Sequence, residues 1–139
     1  MPEQQTLERA RRDKAEGKAP TTQAGEFVRE EMHHIRGGKH GARSAKQAIA
    51  IGLSKSRRAG VKLSPPRKGT VSERTRRSAE SAYRKGQSQP GKNTSPKRSR
   101  ARLRALKREG HEAASFKSLS RHARNAAHKP PVQRRFARV

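Results

Sequence analysis

The residues best suited to chemistry in this chain are cations. Lys39, Arg43, Lys46, Lys55, Arg57 and Arg58 fall in one short stretch. Lys97, Arg98, Arg100, Arg102, Arg104, Lys107 and Arg108 crowd a second, and Lys117, Arg121 and Arg124 form a third group. Guanidinium and ammonium groups at this density match phosphate oxygens, an anionic ligand that repeats along nucleic acids. The chain holds 36 Lys and Arg against 11 Asp and Glu, a formal charge of +25. That is far above the magnitude of about 2–8 that solubility asks of a small domain. The excess is one-sided: residues 1–36 carry seven charges of each sign, and the remaining 29 basic residues face only four acidic ones. Such asymmetry predicts a polyanionic partner.

Other chemistries find little support. Gly37-Gly38-Lys39-His40-Gly41 is glycine-rich but follows a helical pattern and lacks phosphate-loop spacing. No serine sits in a nucleophile elbow and no carboxylate pair suggests acid–base work, so no enzyme and no cofactor is expected. The chain has no cysteine. His33, His34 and His40 show no His-x₃-His spacing, and His33 and His34 point about 100° apart on a helix, so no metal site is expected. Aromatic residues are 3% of the chain, which favours phosphate contact over base stacking, and so duplex DNA or structured RNA over single strands; duplex DNA is the preferred partner and structured RNA the other. Without an apolar run of about 20 residues, no membrane partner is expected. Without a signal-peptide core, the reading is cytoplasmic and nucleoid-associated.

The elements that must carry these cations are short helices. Leu, Ile, Val and Phe number 17 of 139 residues, too few for one large core, so the pattern predicts an all-α, partly disordered chain built on an αα-hairpin. Residues 22–63 hold that hairpin. Thr22 is the expected cap of a helix reaching Ile35, with Ala24, Val28, Met32 and Ile35 on one face and Phe27 at its edge. Glu31 falls inside the apolar stripe, and Arg43 or Lys46 is its expected ion partner. Ser44 and Gln47 form a capping box for the second helix, and Gly60 stops it. Ala45, Ala48, Ile49, Gly52, Leu53, Ser56 and Ala59 share its packing face, and Val61 and Leu63 are expected to fold back.

Four further segments complete the organisation. Residues 1–21 form a neutral segment with a marginal, fraying helix. Residues 64–94 read as a flexible linker with a weak helix from a Thr70–Glu73 capping box to Lys85, carrying Val71, Ala79, Ala82 and Tyr83. Residues 95–129 form a basic helix pair tethered to the hairpin. Ser95 caps the first, with Pro96 at its first position and Leu103 and Leu106 as anchors. The second, Glu112 to Ala127, sets Phe116, Leu119 and Ala123 opposite Lys117, Arg121 and Arg124. Residues 130–139 are a basic tail.

Two resemblances add to this. Ser95-Pro96-Lys97-Arg98 resembles the Ser-Pro-basic-basic repeat of linker-histone tails, which implies minor-groove contact. The block from Gly25 through Met32-His33-His34-Ile35 and Gly38-Lys39-His40-Gly41-Ala42-Arg43-Ser44 to Leu53, with Ser95 to Arg100, Ala114-Ser115 and Leu119-Ser120-Arg121, resembles a family of small, very basic bacterial proteins of unknown function often labelled DNA-binding. That resemblance implies a bacterial, cytoplasmic origin, adds little mechanism and carries over no site residues. The expected function is non-enzymatic, largely sequence-independent binding of duplex DNA. An RNA- or ribosome-associated protein is the alternative. A third reading is an adaptor whose neutral N-terminal third holds a protein partner. The oligomeric state is left open by the sequence.

Overall fold

Pairing begins with a close approach between two helices. The computed structural model describes residues 2–91 and 95–127. Helix α2 spans Pro20–Arg36 and α3 spans Ala45–Arg58, and the two form the expected hairpin. A β-carbon on Gly52 would lie 2.7 Å from the Val28 Cα, so glycine lets α3 press directly on the α2 backbone. Helix α1, Gln4–Ala15, lies on the other side of α2, and α4, Glu73–Ser88, lies along α3. Then follow α5 at Pro96–Lys107, a 3₁₀ turn at Glu112–Ala114, and α6 at Phe116–Ala127. The protein is all-α. An isolated bridge between Lys68 and Val71 is the sole β-pairing among the described residues.

The scarce apolar residues are divided between two small clusters. Met32, Ile35, Ala42, Ala48, Ala113 and Ala114 form one, with Val28, Ile49 and Leu119 against it. Ala10, Phe27 and Val61 form the other, with Leu7, Ala59 and Leu63 alongside. Val61 and Leu63 thus fold back onto α1 and α2. The first cluster joins the C-terminal region to the hairpin, and Arg36 Nε reinforces it by donating to the Ala114 carbonyl at 3.0 Å.

Several local expectations are corrected. Helix α2 starts at Pro20 with Ala19 as its N-cap, because proline at the first position has the required φ and no N–H to satisfy; Thr22 lies inside the helix. Helix α1 is docked: Thr6, Ala10 and Asp13 are buried, and Thr6 donates to Glu30. In the segment read as a linker, Ser72, in place of Thr70, caps α4 by accepting from the Thr75 N–H. That helix runs on to Ser88 and buries Ala79, Ala82 and Gly86. The second C-terminal helix begins at Phe116 after the 3₁₀ turn, and Phe116 is 86% exposed, so it is no part of a packed face. The basic tail at 130–139 and the end of the proposed linker at 92–94 lie outside the described residues.

The α3 start matches its sequence closely. Ser44 Oγ accepts from the Gln47 N–H at 3.1 Å, and Gln47 Oε1 accepts from the Arg43 N–H at 2.6 Å, one residue ahead of the usual box partner. Ser95 caps α5 with Pro96 behind it, as its sequence implies. Among the described residues no helix is long and apolar enough to cross a membrane.

Candidate nucleic-acid interface

Three fates await the cations singled out in the sequence. Arg57 is buried: its Nε donates to the Leu63 carbonyl and its Nη2 to the Ser64 carbonyl, both at 3.1 Å. Burial also pulls its pKa below the ordinary value. It pins the returning chain and is not a surface contact. Lys55 is half-buried and donates to Glu31, with Glu30 3.8 Å away, so its charge is spent internally. Glu31 therefore pairs with Lys55, and His40 also lies beside it; Arg43 and Lys46, the partners expected from sequence, are exposed instead. The reason is geometric. Arg43 and Lys46 start α3 at the turn, whereas Lys55 lies further along it, opposite the middle of α2.

Lys39 stands 3.6 Å from Glu3 and is otherwise open to solvent. Helix α5 presents Lys97, Arg98, Arg100, Arg102, Arg104 and Lys107, all exposed, and Arg108 follows at its C-cap. None of these seven side chains meets a carboxylate among the described residues. Arg58 is half-buried, and its pKa is lowered by burial first and then by the charges of Arg102 and Arg98. Arg102 and Arg98 thus bring their positive charge close to Arg58.

Helix α5 is held in an unusual way. Along its length it packs on no other helix among the described residues. At its C-terminal end the Leu106 carbonyl accepts from the Gly41 N–H at 2.9 Å, and just past it the Gly110 carbonyl accepts from the Ala42 N–H at 3.0 Å. Earlier in the chain, just past α4, the Gly91 N–H donates to the Arg58 carbonyl at 3.0 Å. Between these fastenings lies a cleft of about 590 Å³, with Leu103 and Leu106 of α5 facing Leu7 and Ala59. Lys55, Arg58 and Arg102 line it, and Glu31 and His40 form part of its wall.

A second concavity joins two groups of cations that are far apart in sequence. An open groove of about 1050 Å³ runs between the α3 N-terminus and α6, with Arg43 and Lys46 on one bank and Arg121 and His122 on the other. Glu109 and Glu112 also line it and offset part of the positive charge. Lys117 and Arg124 are exposed elsewhere on α6.

The histidines were hidden from spacing arguments. His34 and His40 approach edge-on, with ring centroids 6.0 Å apart, and each offers a ligand atom within 4.8 Å of the other and of a Glu31 oxygen. Gly37 and Gly38 end α2, and the chain then turns His40 back over Glu31, a return that no fixed sequence spacing encodes.

An all-α hairpin with a docked C-terminal region is the class of protein that these elements define. Residues 11–69 match a family described as a family of unknown function, DUF6496. That stretch is under half of the chain and runs from within α1 to the loop before α4, so it contains Glu31, His34, His40 and Lys55. No curated protein and no solved structure matches the chain.

Proposed function

We propose that this protein binds nucleic acid through the phosphate backbone, largely without regard to sequence, and without catalysing a reaction. Duplex DNA is the preferred form, in a bacterial, nucleoid-associated setting. The observation that carries the reading is the row of α5 cations that no carboxylate neutralises among the described residues. The few carboxylates are taken up elsewhere: Arg76 bonds both Glu73 and Glu80, Arg9 bonds Glu26, and Lys55 bonds Glu31. What sets α5 apart is density: six cations in one twelve-residue helix, all exposed, beside Arg58, make a surface suited to a polyanion. Among the described residues Phe27 is buried and Tyr83 half-buried, which leaves Phe116 as the one well-exposed Phe or Tyr ring, so phosphate is the better match than single-stranded bases.

The test is a competition between a 20-base-pair duplex and a structured RNA hairpin for the full chain, at several salt concentrations. If about eight phosphates are neutralised, the log–log salt slope on duplex is near −7. Duplex preference with that steep slope is expected. A shallow slope on both polymers overturns the reading, and preference for the hairpin moves it to RNA.

A further inference from the structure

Beneath α5 lies a cluster of groups that phosphate binding does not use. Glu31 is 0% exposed and His40 6%. Lys55 donates to Glu31 Oε1. The other oxygen, Oε2, stands 3.1 Å from His40 Nε2, yet makes no hydrogen bond to any described group. A buried carboxylate oxygen in that state is expensive unless something else meets it.

Tautomers narrow what that something is. His40 Nδ1 lies 2.8 Å from the Gly41 carbonyl, which can only accept, so Nδ1 carries the proton and a neutral ring turns the Nε2 lone pair toward Glu31. His34 Nε2 lies 3.0 Å from Glu3 Oε1, so Nε2 carries the proton there and Nδ1 keeps the lone pair. Each candidate ligand is thus fixed from behind: His40 by a carbonyl, His34 by a carboxylate, Glu31 by an ammonium. This is the outer-shell pattern of metal-binding imidazoles.

The contact distance agrees. Two atoms held about 2.1 Å from one ion at an angle of about 95° are about 3.1 Å apart, and their lone pairs aim at the ion instead of at each other. A 3.1 Å separation without hydrogen-bond geometry is what His40 Nε2 and Glu31 Oε2 show. Ligand atoms of Glu31, His34 and His40 all lie within 4.8 Å of one another. The cleft below α5 reaches Glu31 and His40 and supplies a way in.

We propose that Glu31, His34 and His40 bind one divalent transition-metal ion of the imidazole-preferring kind, typified by Zn²⁺, with its remaining position open to the cleft. The ion joins α2 to the turn that carries His40. Gly41, the next residue, holds α5 through Leu106, so the ion also steadies the seat of the basic helix. A chain with two small apolar clusters gains from such a fastening.

The experiment is a titration of chelator-treated full-length protein with Co²⁺, read by its visible ligand-field absorption, followed by competition with Zn²⁺. One equivalent is expected to bind and to be displaced by one of Zn²⁺. His40→Gln and Glu31→Gln are expected to weaken binding at least about tenfold, as is His34→Ala, while His33→Ala, His111→Ala and His122→Ala leave it unchanged. Far-UV circular dichroism of each variant reports whether it folds. Should Glu31→Gln unfold, the His34→Ala and His40→Gln titrations decide. No saturable Co²⁺ band, or equal affinity in folded His34→Ala and His40→Gln, overturns the proposal. A loss shared equally by His33→Ala and His122→Ala also overturns it, since that marks adventitious surface binding.

Discussion

Gly86 of α4 rests directly on the carbonyl of Arg57: a β-carbon there would stand 1.6 Å from that oxygen. Helix α4 therefore docks through backbone proximity, with Ala79 and Ala82 continuing the small-residue seam. In an isolated helix Gly→Ala gains about 1 kcal/mol. Here Gly86→Ala forces the two helices apart, and overpacking costs about 1–3 kcal/mol. A net loss of stability is expected in urea denaturation. A gain would show that α4 does not lie on α3.

Arg57 and Arg58 are neighbours in sequence with different duties. Arg57→Gln removes two hydrogen bonds to the carbonyls of Leu63 and Ser64 and leaves both acceptors short of a partner, a loss of about 1–3 kcal/mol. Its salt slope on duplex DNA is expected to match that of the unaltered protein. Arg102→Gln should do the reverse, sparing stability and lowering the slope by about 0.9. Denaturation and anisotropy titrations on the two variants check both halves.

The groove between α3 and α6 invites a coupled test. Arg43, Lys46 and Arg121 face one another across it although 75 residues separate Lys46 from Arg121. If one phosphate run occupies the groove, Arg43→Gln and Arg121→Gln each weaken duplex binding, and the double variant weakens it by less than the product of the two. Independent, multiplicative losses would place the two arginines on separate contacts.

Glu73 gives a pH signature for α4. The hydrogen bond from Arg76 holds its carboxyl below the ordinary Glu value. A depressed folded-state pKa contributes stability above the unfolded value, and that contribution fades as pH falls through the folded one. The α4 N-terminus should thus keep its amide protection through mild acid and lose it only below the usual glutamate range. Arg76→Gln should raise the Glu73 midpoint, as followed by carboxyl NMR.

Short-range instructions were legible in the sequence. Ser44 with Gln47, Ser95 with Pro96, and the turn-back of Val61 and Leu63, held by the Ser56 carbonyl and the Arg57 side chain, each depend on residues a few positions apart, and each is present. Long-range pairings were not. Nothing in residue type distinguishes Lys55 from Lys46 as the partner of Glu31; the crossing of α2 and α3, set by contact at Gly52, makes the choice. The α4 seam was read as weak because hydrophobicity measures bulk, and Ala79, Ala82 and Gly86 pack by lacking it. In the same way His34 and His40 belong to no spacing rule, since a turn between them sets their separation.

Helix α5, fastened at its C-terminal end and standing clear of the other described helices along its length, behaves like a beam held out over a gap. A beam keeps its shape whatever passes beneath it. Ser99 and Leu103 on its underside can change size without disturbing any helix packing, while the arginines above keep their spacing. That freedom lets the underside of the helix be altered independently of the cations exposed on the rest of its surface. For an engineer, the underside of α5 is the place to add bulk first.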